Sequence, residues 1–223
     1  MPDFALARRM MVDSQVRTFD VHALPVLAAM DAVPRERFVP AGRESLAYMD
    51  QDVPVSDGIA GAERRFMLKP MVVGRLLQAL DLRKGEKALD VAAGLGYSAA
   101  LLARLGAEVT ALESSEEGAA AARERLMALG IAGVRTAAGP LDRGWPDAAP
   151  YDVILVNGLL EVRPQGLLGQ LAEGGRLGCI ERRGKAGRAV IYVRSGDAFG
   201  SRAIFDAGAP VLPAFRAEPG FVF

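Results

Sequence analysis

Apolar residues recur along this chain in two patterns that change over near residue 69. Before that point the spacing is helical but interrupted by proline. Phe4, Leu6, Met10, Met11 and Val12, set against Arg8, Arg9 and Asp13, predict a helix over residues 4–17. Asp20 stands as the N-cap of a second helix over 21–32, whose Leu24, Leu27, Ala28 and Met30 fall at near-helical spacing. Pro34 ends that helix, residues 33–40 read as a connector, and 41–49 as a short helix ending at Tyr48. Residues 50–65 carry Pro54, Gly58 and Gly61 among many polar side chains and read as a loop. Loops of that length inside compact domains are usually functional.

From Lys69 the pattern becomes regular. Met71, Val72, Leu76, Leu77 and Leu80 predict an amphipathic helix that stops before Lys84-Gly85. Short apolar runs then alternate with helical ones. Strands are expected over 87–91, 108–112, 134–138 and 151–156, and helices over 97–105, 116–129 and 164–171. Ser114 or Ser115 caps the middle one of these helices and Gly130 closes it. Strands over 176–180, 189–193 and 201–205 follow with no helix between them. The expected fold is an α/β three-layer sandwich of the Rossmann-like kind. Its mostly parallel sheet is covered on both faces, with an antiparallel edge and an N-terminal helical extension.

The first strand carries the candidate chemistry. Ala88-Leu89-Asp90-Val91 runs into Ala92-Ala93-Gly94-Leu95-Gly96-Tyr97-Ser98 and then a helix. Such a strand–turn–helix unit gathers backbone N–H groups at a helix N-terminus, and its glycines let a ligand approach the main chain. The next strand ends in Glu113, a carboxylate placed beside the turn to accept both hydroxyls of a ribose. Gly94-Leu95-Gly96-Tyr97-Ser98-Ala99 also fits the dinucleotide pattern G-x-G-x-x-A, which keeps an NAD-linked reductase open. Asp90 points the other way. A carboxylate this close repels a pyrophosphate but attracts a sulfonium or amino group. Asp90 and Glu113 together favour S-adenosylmethionine. The expected cofactor contacts are Asp90, Ala92, Gly94, Gly96, Glu113, Ser114, Leu141 and Asn157.

Composition narrows the classes. Among 223 residues, 27 basic side chains balance 27 acidic ones, so net charge offers no attraction to nucleic acid or an anionic membrane. No run approaches the roughly 18 apolar residues of a membrane span, and the first residues lack the apolar core of a signal peptide. Cys179 is the one cysteine, which excludes an internal disulfide and suits a reducing, cytoplasmic setting. His22 is the one histidine, so no metal site is expected. Asp152 falls at the wrong strand end for a ligand, and the basic stretch 181–188 reads as a solvated hairpin. The apolar tail Pro219-Gly220-Phe221-Val222-Phe223 is expected to dock on the body.

Several segments resemble a known family. Val33-Pro34-Arg35-Glu36-Arg37-Phe38-Val39-Pro40, Ala47-Tyr48-Met49-Asp50, the glycine turn, Gly144-Trp145-Pro146, Pro150-Tyr151-Asp152-Val153-Ile154 and Gly174-Gly175-Arg176-Leu177 fall in the order seen in protein-L-isoaspartate O-methyltransferases. The resemblance spans about residues 10–180. It implies a class I S-adenosylmethionine-dependent methyltransferase that methylates the carboxylate of an isoaspartyl residue in a damaged protein. On this basis residues 1–68 form a helical extension with the substrate loop, and 69–223 the cofactor-binding domain.

The chain departs from that family in three places. Where the family has Thr-Ile-Ser-Gln-Pro, this sequence has Phe66-Met67-Leu68-Lys69-Pro70, so Leu68 takes the place of the active-site hydroxyl. Where the family has Gly-Asp-Gly, it has Gly139-Pro140-Leu141, without the acid. Ala92 replaces the first glycine of the turn. Arg64, Arg65 and Lys69 flank the altered loop and are the candidate substrate-carboxylate ligands. A divergent relative that binds the cofactor but has another substrate, or none, is the alternative these departures leave open.

Overall fold

The computed structural model describes residues 3–56, 59, 61 and 63–218; the tail Pro219–Phe223 lies outside them. Helix α1 (Phe4–Met11) is capped by Asp3, whose carboxylate accepts from Leu6 N at 3.0 Å. A π turn over Val12–Val16 and a 3-10 turn over Arg17–Phe19 continue it. Asp20 is not the N-cap of the second helix but closes the 3-10 turn before it. It lies in the left-handed region, at φ 60°, and α2 (Leu24–Ala32) starts four residues later. The backbone donors ahead of α2 are instead met from another helix: Gln78 Oε1 accepts from His22 N at 2.8 Å and Ala23 N at 2.9 Å.

Inside the expected loop lies β1 (Val53–Pro54), which pairs antiparallel with β2 (Phe66–Met67) just past the loop's end. Helix α3 (Pro70–Leu80) starts with proline at its first position, where no backbone donor is needed. Then come β3 (Lys87–Val91), α4 (Tyr97–Arg104), β4 (Glu108–Glu113), α5 (Glu116–Ala128) and β5 (Val134–Ala138). They are followed by β6 (Tyr151–Leu160), α6 (Gln165–Leu168), β7 (Leu171–Arg183), β8 (Ala186–Ser195) and β9 (Ala198–Asp206). The seven-stranded sheet has the order β5-β4-β3-β6-β7-β8-β9, parallel from β5 to β7 and antiparallel beyond. Strand order reverses between β3 and β6, and α/β sheets bind ligands in the crevice at such a point.

The two faces of the sheet are covered unequally. On one, Ala88, Val109, Ala111, Val153 and Leu155 share a single apolar cluster with α3, α4 and the N-terminal helices. On the other, Leu89, Val91, Leu112, Ile154 and Val156 share a smaller cluster with the four-residue α6 and the short turns carrying Leu141, Leu212 and Phe215. The expected helix over 164–171 is that short because β7 already begins at Leu171. Gly175 makes this possible, since a Cβ there would lie 2.9 Å from the carbonyl oxygens of Ala172 and Tyr151.

Candidate functional site

The site is built at the carboxyl ends of β3, β4 and β6. After Val91 the chain takes three left-handed residues in five, Ala92 at φ 57°, Gly94 at 59° and Gly96 at 94°. The bend is pinned to β4 by Ala92 N donating to Leu112 O at 3.0 Å. Gly96 then starts α4, and a side chain there would press on Leu126 of α5 at 3.1 Å. Ala92 tolerates the left-handed region at a cost of about 1 kcal/mol.

Asp90 is wholly buried beneath the bend. Its Oδ2 accepts from Ser98 Oγ at 2.7 Å, and its Oδ1 from Asn157 Nδ2 at 2.7 Å. Burial pushes its carboxyl up to about 7, with the Glu113 charge adding to the rise while the Ser98 and Asn157 bonds oppose it. Asn157, brought in from β6, also donates to Val91 O at 3.0 Å and so ties the two strand ends together. Ser98 was not among the residues expected from sequence. Its signal is its position in the first turn of the helix that follows the glycine turn.

Glu113 is buried at the tip of β4. Its Oε1 accepts from Gly94 N at 2.6 Å and its Oε2 from Ser114 N at 3.2 Å, which puts the carboxylate directly against the bend. Arg65 Nε donates to the same Oε2 at 3.0 Å. Burial raises the Glu113 carboxyl above its ordinary value, a push opposed by Arg65 and the two backbone N–H groups. Arg65 Nη2 also reaches Ser114 Oγ at 2.8 Å and Glu63 Oε2 at 2.9 Å. Among the three basic candidates for a substrate carboxylate, Arg65 is therefore paired with Glu113. Arg64 lies over the Phe66 ring at 5.2 Å, and Lys69 contributes its backbone N–H to Asp52 at 3.0 Å.

The altered loop lies in apolar surroundings. Leu68 is buried, and its carbonyl accepts from the fully buried Arg35 at 2.6 Å. Arg35 also donates to Ala47 O at 2.6 Å and stacks on Tyr97 at 4.7 Å. The proline-bounded connector thereby clamps both the altered loop and the start of α4. Leu141 packs into the second face of the core, and Pro140 is exposed. The space enclosed by Val55, Phe66, Leu68, Ala92, Ser98 and Asn157 is only about 10 Å³.

The remaining candidates have structural surroundings. Asp152 accepts from Lys87 N at 2.8 Å at the far end of the sheet, and Cys179 is buried within β7. Among the described residues no group of three His, Cys, Asp or Glu could hold a metal, and no helix is long and apolar enough to cross a membrane.

Comparison with known proteins follows the same lines. The family model described as protein-L-isoaspartate(D-aspartate) O-methyltransferase matches residues 8–198. A protein-L-isoaspartate O-methyltransferase of Methylorubrum populi is 43% identical over 177 residues, covering 79% of each chain. One from Gloeobacter violaceus is 41% identical over 167 residues, covering 75% of this chain and 78% of its own. A solved protein-L-isoaspartate O-methyltransferase superposes with a TM-score of 0.80 at 24% identity, over 92% of this chain and 65% of that one, just under two thirds. A Plasmodium falciparum β-aspartate methyltransferase, solved in complex with S-adenosyl-L-homocysteine, superposes with a TM-score of 0.77 at 18% identity, over 93% of this chain and 98% of its own. At those identities the two solved structures establish the fold.

Proposed function

This chain belongs to the protein-L-isoaspartate O-methyltransferase family, and on that footing we propose that it is an S-adenosylmethionine-dependent O-methyltransferase of that type. The observation that carries the reading is the pair of buried acids, Asp90 and Glu113, on either side of a bend of nearly bare main chain. The donor set suits the cofactor: Glu113 for the ribose hydroxyls, the bend for close backbone approach, and Asp90 for the cationic methionine end. Ser114 and Leu141 are the further contacts we assign, with Asn157 acting through Asp90.

When bound, S-adenosylmethionine supplies a methyl group on a positively charged sulfur. The acceptor carboxylate is already ionised at neutral pH, so the chain needs no general base. Its contribution is alignment and exclusion of water. Asp90 adds a pH dependence. With its carboxyl up at about 7, it must lose a proton to meet a cation, so affinity for the cofactor should rise as pH passes through 7 and level off above it. The Asp90→Asn variant should bind more weakly and without that pH dependence.

At the level of substrate, the isoaspartyl protein of the family is the first reading. A second is favoured by one observation: buried Leu68, with Phe66 beside it, has no side-chain group to bond a carboxylate. The chain would then act on another acceptor. We assign the substrate side in either case to the proposed extension 1–68, whose Met11, Met30, Phe38, Val53 and Leu68 share one core with α3 and α4. The balanced charge and the buried Cys179 thiol fit a cytoplasmic enzyme. The test is a thermal-shift and turnover assay with S-adenosylmethionine, NAD and an isoaspartyl peptide. S-adenosylmethionine alone should raise the melting temperature. Stabilisation by NAD instead, or methyl transfer to no carboxylate peptide, would remove the cofactor or the acceptor assignment respectively.

A further inference from the structure

The acid assigned to the ribose is already taken by the protein itself. Arg65 and Glu113 bury each other almost completely, at 3% and 5% side-chain exposure. All three guanidinium nitrogens of Arg65 have acceptors: Glu113 for Nε, Arg64 O at 3.3 Å for Nη1, and both Ser114 Oγ and Glu63 for Nη2. Its main chain is fixed independently, by Arg65 N donating to Ser56 Oγ and Val55 N donating to Arg65 O, each at 2.9 Å. The side chain can therefore leave Glu113 while its own backbone stays where it is. Val55 closes the same place from above, its Cγ2 lying 3.0 Å from where a Cβ on Gly94 would be. The neighbouring space bounded by Val55, Ala92, Ser98 and Asn157 is also small, at about 10 Å³.

We infer that Arg65 is a latch on the cofactor site: in the ligand-free protein its guanidinium occupies Glu113, and the cofactor enters by displacing it. This rests on the reading that Glu113 receives the ribose, and it adds the competitor that reading has to overcome. A buried cation stripped of its acid is costly, so a latch that opens needs a second acid for the arginine. Glu63 is that acid. It already holds Nη2 at 2.9 Å, and its side chain is 44% exposed, on the solvent side of the pair. On displacement Arg65 keeps Glu63, and Glu113 exchanges one set of donors for another. In a latch of this kind the apparent dissociation constant equals the intrinsic one divided by the fraction of molecules that are open.

Calorimetric titration with S-adenosylhomocysteine tests this, since it carries the same ribose and needs no turnover. Arg65→Ala should tighten binding at least about tenfold, and Glu63→Ala, which leaves the displaced cation without an acid, should weaken it several-fold. Circular dichroism and thermal unfolding check that each variant is folded, and Arg65→Met, which keeps the side-chain stem, serves if the alanine variant is not. Equal affinity in wild type and both Arg65 variants would overturn the latch and leave the cofactor reading intact. Weaker binding in the Arg65 variants would also overturn it, making Arg65 a ligand contact instead. Absence of binding to wild type and every Arg65 variant would bring down the cofactor reading and the latch with it.

Discussion

Each end of the central sheet carries a guanidinium–carboxylate pair, and the two are built differently. At the amino end, Arg176 grips Glu86 with two nitrogens, at 2.7 and 3.0 Å, and also bonds the carbonyls of Leu80 at 2.9 Å and Asp81 at 2.7 Å. It ties β7 to the end of α3, at 17% and 15% side-chain exposure. At the carboxyl end, Arg65 meets Glu113 through one nitrogen, in a more deeply buried setting, and the acid's other oxygen faces the glycine bend. The first arginine closes off carbonyl groups that a helix end leaves open. The second covers an acid with capacity for other donors. Similar chemistry thus serves anchoring at one end of the strands and reversible cover at the other.

The strongest way to break the comparison is at Glu113. Glu113→Ala leaves Arg65 buried without its inner acid and should lower stability by about 3–5 kcal/mol, besides weakening cofactor binding by about 1–3 kcal/mol. Urea unfolding and calorimetry measure the two effects separately, and an unchanged dissociation constant would remove Glu113 from the site.

Asp90 should give the next largest effect, visible as pH dependence. Its folded-state value of about 7 lies above the ordinary 3.8, so between those values the folded protein binds more protons than the unfolded chain. The stabilisation is full below the ordinary value and is lost as pH rises through 7. Across pH 5 to 7 this amounts to about 2 kcal/mol, and Asp90→Asn should flatten the slope. A slope that survives the substitution would place the titrating group elsewhere.

Arg176→Ala sharpens the contrast, with an expected loss of about 1–2 kcal/mol in stability and no change in the affinity for S-adenosylhomocysteine. Smallest of all is the expected effect of Leu68→Ser on repair of an isoaspartyl peptide. One hydroxyl should not restore turnover while Phe66 and Pro140 remain, and full activity in that single variant would show the pocket to be otherwise intact.

The contrast also marks how far sequence reasoning reaches. The β3 strand, the bend, the acid-ended β4 and α5 were legible because each is a local pattern: an apolar run, glycines at fixed offsets, a serine ahead of a helix. Val53–Pro54 and Phe66–Met67 were not, because two-residue strands are too short to show a period of two. Asp20 looks like a cap because its residue type suits one, but its place in the chain is a left-handed turn and a distant glutamine does the capping. The thin second face of the sheet follows from the Pro- and Gly-containing stretch between β5 and β6, which makes 3-10 turns rather than a helix. The Arg65–Glu113 bond joins residues 48 positions apart, a separation on which local periodicity carries no information.

The outermost strand, β9, has one further consequence. Among the described residues no strand pairs with its outer edge, where Ser201, Arg202 and Ala203 are exposed. Open edges of this kind invite a second molecule to add a strand of its own. Here a charged side chain sits midway along the edge, and the pairing with β8 slips by a residue between Ala189 and Val190. Both features spoil the flat, regular template that edge-to-edge strand addition and fibril growth require.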